Sequence, residues 1–175
     1  GIEDYRWAHV RSLPAFRNRN LWRLFNFGFI SVYQLLLLLL ITAPSVAAAE
    51  ARRAPLHALD VVVALFFLAL LALETVADQQ QYEFHTEKHR RRAAGEPLTG
   101  DYARGFRTTG LFALARRPNF AAEQAIWIAY YGFSVAATNR WLNWSAIGAL
   151  LLVLLFQGST DLTERITAAK YPAYA

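Results

Sequence analysis

The chain has 175 residues, 55% of them hydrophobic, and a formal net charge of +5. It contains no Cys, which excludes a disulfide framework and a thiolate metal site. Its four histidines (His9, His57, His85, His89) are scattered without zinc-protease spacing, so no metal site is expected.

The apolar residues are concentrated in runs, and the basic residues flank those runs. Anionic lipid and membrane topology explain such charges better than nucleic acid does. Met is absent, including at position 1, which points to a fragment or a processed chain. The polar sequence after Gly1 does not read as a signal peptide.

Residues 1–23 are polar and basic, with Trp7, Phe16 and Trp22 interleaved among five arginines. That mixture fits a segment lying at a membrane interface. The first apolar run, Leu24 to Ala43, is long enough to cross a hydrocarbon core of about 30 Å. Asn26, Ser31, Tyr33 and Gln34 interrupt its first half, as interhelical hydrogen-bonding groups or as the wall of a cavity. Pro44 is expected to end this helix, leaving residues 45–57 as a connection.

The second run is Ala58 to Ala77. Glu74 and Asp78 stand four apart at its inner end and so share one helix face. Like charges at that spacing repel, which predicts a cation, a hydrogen-bonding ligand or a loop arginine between them. The helical register continues through Gln79, Gln80 and Gln81, with His85 one turn beyond Gln81. Residues 86–117 form the largest polar segment. Its run Arg90 to Arg92 reads as a solvated or lipid-facing surface.

Pro118 suits the first position of the next helix, where its missing N–H removes no hydrogen bond. Arg116 and Arg117 then stand beside the helix's unpaired N–H groups, an arrangement suited to phosphate. Glu123 lies one turn past Asn119; a carboxylate inside a membrane helix calls for a partner or a function. The third run extends from Phe120 to Thr138. A tight turn bearing Trp141 and Trp144 follows, then a short fourth run from Ser145 to Phe156. Beyond it come Asp161, Glu164 and the tail Lys170-Tyr171-Pro172.

These runs predict an all-α polytopic transmembrane bundle of about four spans, a single domain over 1–175. With the N-terminus cytoplasmic, all of the 18 Lys and Arg except Arg52, Arg53 and Arg140 fall on one side. That bias selects both termini of this chain as cytoplasmic. It also brings Glu74, Asp78, Arg116, Asn119, Glu123 and Glu164 to a single membrane face.

Several ordered motifs carry a resemblance. They are Glu74-Thr75-Val76-Ala77-Asp78-Gln79-Gln80-Gln81, Gly110-Leu111-Phe112, Arg117-Pro118-Asn119-Phe120 with Glu123, Gly158-Ser159-Thr160 with Glu164, and Lys170-Tyr171-Pro172. Together they resemble the C-terminal domain of the steroid 5α-reductase family over essentially the whole chain. The closest likeness is to its bacterial and protist branch, whose members carry a domain of unassigned function. Sterol reductases and isoprenylcysteine carboxyl methyltransferases share the wider architecture.

The resemblance implies a membrane reductase that binds NADPH from the cytoplasm, with a cofactor-binding loop at 79–118. Its substrate class would be a sterol-like or other lipid enone. It implies that Glu74, Asp78, Asn119, Phe120, Glu123 and Tyr171 hold amide, ribose and adenine groups, with Gln81, His85 and Glu164 beside them. Arg116 and Arg117 would neutralise phosphate. Two departures stand out: Arg117 occupies a position where related reductases have His, and His85 one where 5α-reductases have Arg. The family's catalytic acid comes from helices upstream of the region matched here, so no catalytic residue is assigned. The alternatives are a membrane S-adenosylmethionine-dependent methyltransferase and a non-catalytic scaffold. Asn119, where the methyltransferases tend to have Ser, and the doubled arginine weigh against the first.

Overall fold

The computed structural model describes residues 5–51 and 55–174; Arg52 and Arg53 lie outside them. Every regular element among the described residues is helical, as the apolar runs predict. A short helix α1 (Tyr5–Ser12) and a 3₁₀ turn (Pro14–Arg17) lead into the first long rod. That rod joins α2 (Arg19–Phe25), a π-helical stretch (Asn26–Tyr33), α3 (Gln34–Ile41) and α4 (Ala43–Glu50). Next come α5 (Ala58–Ala93), α6 (Gly100–Arg104), α7 (Pro118–Thr138) and α8 (Ala146–Lys170), then a 3₁₀ turn at Pro172–Tyr174.

Contacts at both ends of each pair fix the topology. The Asn119 side chain meets Asp78 at one end of α7, and His57 Nε2 donates to the Ala136 carbonyl at the other. So α7 runs antiparallel to α5 along the whole apolar length of that helix. Ser145 bonds Ser134 at the outer turn, and Gln157 bonds Gln124 farther in, which makes α8 antiparallel to α7. Tyr33 donates to the Leu151 carbonyl while Leu40 touches Gly148, so the first rod is antiparallel to α8. The result is an up-down-up-down bundle.

Three helical segments are long and apolar enough to cross a membrane: Arg19–Glu50, Ala58–Ala93 and Ala146–Lys170. The third expected run differs. With 21 residues α7 is long enough, but it is not apolar enough. Its position explains the composition. It packs against α4, α5 and α8 and buries Ala122, Ile126, Ala129, Ser134, Val135 and Ala136. A helix facing other helices along much of its circumference is released from the lipid-like composition required of one facing lipid.

Two expected boundaries are corrected. Pro44 does not end the first helix; it occupies the first turn of α4, where its lack of an N–H breaks no bond. The break falls at Thr42, and Ala43, Pro44 and Ala47 are buried, as α4 packs against α7. The fourth run does not stop at Phe156: α8 continues through Gly158 and Ser159 to Lys170. Its polar half contacts Arg6 of α1 through Ser159 and Arg117, the residue before α7, through Thr167.

At Gly148 the helices approach most closely. A Cβ there would fall on the Leu40 carbonyl and the Ile41 amide, so only Gly lets the α3 and α8 backbones meet. The small core beside this crossing is Leu37, Ile41 and Leu152.

Candidate functional site

The site lies where α5 passes the start of α7 and the last turns of α8. On α5 the acids Glu74 and Asp78 do face one way, as their spacing predicts. Among the described residues no loop arginine pairs with either of them. Each instead has its own partner on α7. Asn119 donates from Nδ2 to Asp78 Oδ1 at 3.0 Å. Glu74 lies beside Glu123, and Glu123 Oε1 accepts the Trp127 indole N–H at 2.8 Å. Glu74 and Glu123 line a cavity of about 390 Å³ with Thr42, Phe67, Leu71, Ile126 and Tyr130.

One turn below, Gln81 donates from Nε2 to His85 Nε2 at 3.0 Å, which places both on the face expected. Gln81 Oε1 is buried and has no hydrogen-bond partner. The loop after α5 folds back onto this stretch. Arg107 donates to the Gln80 carbonyl at 2.7 Å, and the Leu111 N–H donates to Gln80 Oε1 at 3.0 Å. Asp101 closes the loop by accepting from the Thr108 backbone and hydroxyl.

The arginine pair divides between two environments. Arg117 is the residue before Pro118, which takes the first helical position as expected. Arg117 donates to Thr167 Oγ1 at 3.2 Å and lies 5.3 Å from the Phe120 ring, yet its Nε is buried without a partner. Arg116 is more exposed; it pairs with Glu164 at 3.7 Å and covers the Tyr174 ring at 5.2 Å. Glu164 is thus drawn into the cluster as an ion-pair partner. Phe120 turns the other way, packing edge-on against Phe156 and lining a second, mostly apolar cavity.

That cavity has a volume of about 760 Å³ and lies between the π-helical stretch, α1 and α8. The π winding places Phe25, Phe29 and Tyr33 in one stacked ladder, with ring centroids 5.1 and 5.2 Å apart. Offset rings give this wall a rigid apolar face. Gln34 and Ser159 supply polar groups, and Arg6 closes one side by donating to Ser159 Oγ at 2.6 Å. Of the polar residues of the first run, Gln34 lines the cavity, while Asn26 and Ser31 bond backbone carbonyls of their own rod. Tyr33 bonds another helix and also lines the cavity.

Lys88 is a site residue that the sequence reading passed over. It is only 4% exposed. Its ammonium donates to the Gly105 carbonyl at 3.2 Å and to the Tyr171 hydroxyl at 3.4 Å, and it sits over the Phe84 and Tyr171 rings. Gly105 has φ +96°, and a Cβ there would collide with the Tyr171 ring. One cation thus clasps α5, the loop and the tail together. The signal was available: Gln81 and Lys88 are two turns apart on one stripe, with Phe84 and His85 between them.

Burial alone pushes the Tyr171 hydroxyl up, but Lys88, with Lys170 beside it, brings it below the ordinary phenol range. Lys88→Met is expected to raise the pH at which Tyr171 ionises. The difference between tyrosinate absorbance titrations with and without Tyr171→Phe reads it. An unmoved Tyr171 titration would show that the clasp does not form in solution.

Three helical segments long and apolar enough to cross a membrane, one of them the π-containing rod, mark a helical membrane protein with a cluster of polar side chains at one end of its bundle. The family model described as "Protein of unknown function (DUF1295)" matches residues 1–175, and the chain belongs to that family. It is similar to the uncharacterized protein C594.04c of Schizosaccharomyces pombe, with 37% identity over 181 residues. That alignment covers 99% of this chain and 52% of the relative, so the chain spans about half the length of that curated relative. No solved structure matches.

Proposed function

We propose that this chain is the cofactor-binding part of a membrane reductase that uses NADPH to reduce a sterol-like or other lipid enone. The observation that carries the reading is the pair of buried, unpartnered polar atoms, Gln81 Oε1 and Arg117 Nε. A buried donor or acceptor left unmade costs about 1–3 kcal/mol, so each atom calls for a ligand group. An acceptor and a cationic donor along one polar face suit the hydroxyl or amide and the phosphate of a dinucleotide. The resemblance to the steroid 5α-reductase family implies NADPH contacts for the same residues, which supports the reading.

In this reading Arg117 grips phosphate, and Asp78, Asn119, Gln81 and His85 present hydrogen-bonding groups to the polar rings. Arg116 and Glu164 hold the mouth, and Tyr171 is fixed at the tail by Lys88. Phe120 separates the polar cleft from the apolar cavity of about 760 Å³, which would take the lipid. The chemistry supplied by such a cofactor when bound is hydride donation to an electron-poor carbon–carbon double bond. The chain's own part is to orient the two molecules and exclude water.

The same reading keeps four crossings, with α7 counted as the shielded one, and both termini cytoplasmic. Single cysteines at Ala94 and Asn139 are expected to label from opposite sides of the membrane, Ala94 from the cytoplasm. Labelling of both from one side would remove the four-crossing topology.

Titration of the purified protein with NADPH and with S-adenosylmethionine, followed by Trp fluorescence, tests the cofactor. Saturable binding of NADPH is expected. Binding of S-adenosylmethionine instead would promote the methyltransferase reading, and binding of neither would leave the scaffold.

A further inference from the structure

We propose that the N-terminal arginines form a binding site for the headgroups of anionic phospholipids in the leaflet they enter. Arg11, Arg17, Arg19 and Arg23 are all exposed. An aromatic contact joins Arg11 to Trp22, and the other three lie within five residues of Trp22 in sequence. The Arg11 guanidinium lies 5.6 Å from the Trp22 ring, and Phe16 packs edge-on against Trp22 at 5.7 Å. Arg17 adjoins Phe16, while Arg19 and Arg23 stand one turn apart on α2, on either side of Trp22 in sequence. Asn18 caps α2 by accepting from the Asn20 and Leu21 N–H groups, which fixes the helix start beneath the patch.

The charge bookkeeping separates this patch from the other basic regions. Arg90 and Arg91 share Glu87, and Arg90 also holds Glu96. Arg104 has Asp101, Arg116 has Glu164 and Arg165 has Asp161. Among the described residues no carboxylate pairs with Arg11, Arg17, Arg19 or Arg23, and residues 5–49 contain no Asp or Glu at all. Four cations drawn together without an anion repel one another. Their place decides which anion relieves them, because the first membrane-compatible segment begins at Arg19 and Leu21, Leu24 and Phe27 beside it are exposed. An anion at that level is a lipid phosphate whose acyl chains lie along the same apolar residues. This site is independent of the proposed cofactor.

The test is native mass spectrometry of the purified protein with equimolar phosphatidylglycerol and phosphatidylcholine. Preferential retention of phosphatidylglycerol is expected. Replacing all four arginines by Gln should abolish the preference, with each lost cation worth roughly fivefold. The Arg→Lys quadruple should keep it, as should Arg104→Gln with Arg165→Gln, whose arginines are already paired. A near-native far-UV circular dichroism spectrum confirms that each variant is folded. Equal retention of the two lipids by the wild type would overturn the proposal. So would a preference that survives the Gln variant, or displacement of the lipid by soluble glycerol phosphate. If the Gln variant does not fold, wild-type retention in 0.5 M salt decides: loss of the preference supports the site, and an unchanged preference rejects it.

Discussion

Arg117→Ala is expected to weaken NADPH binding by about tenfold or more, and Arg116→Ala by much less. The two neighbours differ in what they already hold. Arg116 has a carboxylate and a ring, Glu164 and Tyr174, and is open to water. Arg117 has one hydroxyl contact and the Phe120 ring but no carboxylate, and its Nε is buried without a partner. A ligand phosphate completes Arg117, whereas it would have to compete with Glu164 for Arg116. Loss of a charge-assisted contact costs about 1.5–3 kcal/mol, and about 1.4 kcal/mol is a factor of ten. Titrating NADH beside NADPH locates the phosphate. A larger loss for NADPH assigns Arg117 to the 2′-phosphate; equal losses assign it to the pyrophosphate. Unchanged dissociation constants for both cofactors would make Arg117 a purely structural bridge to Thr167.

The largest effect on stability is expected from Gly148→Val. The added carbons would fall on the backbone of Leu40 and Ile41, which cannot swing away as a side chain can. Forcing the helices apart opens the Leu37, Ile41 and Leu152 core and is expected to cost about 3 kcal/mol. Gly158→Val is the matched control, because a Cβ there meets nothing within 4 Å. Thermal unfolding in detergent should show a clear drop in Tm for the first and little change for the second. Equal Tm values would mean that α3 and α8 do not cross at Gly148.

The apolar runs located the long helices because their length has a physical cause: a hydrocarbon core must be crossed and every backbone group paired. The pairs Glu74–Asp78 and Asn119–Glu123 were equally legible from helical spacing. Their partners were not, because periodicity says which face a residue occupies and nothing of the helix opposite it. The charge balance suggested a loop arginine for the acids, whereas α7 supplies Asn119 and Glu123. Pro44 was read as a stop because the rule against Pro applies to a helix interior, but a first-turn Pro starts a helix equally well. The polar end of α8 was hidden because its contacts are with Arg6 and Arg117, which are distant in sequence. Lys88 was concealed by its neighbours: beside three arginines it looked like one more solvated charge.

The length of α5 has a mechanical consequence. Its 36 residues extend about 54 Å, against a hydrocarbon core of about 30 Å. One continuous rod therefore carries both Glu74 and Asp78 and the clasp at Lys88. A bilayer that thins or thickens changes the tilt of such a rod. With about 22 Å projecting past Asp78, a tilt of about 10° sweeps the far end sideways by about 4 Å. That is more than a hydrogen bond's length, applied where the tail and loop are fastened. The tightness of the Tyr171 clasp is therefore expected to vary among lipids that differ only in chain length.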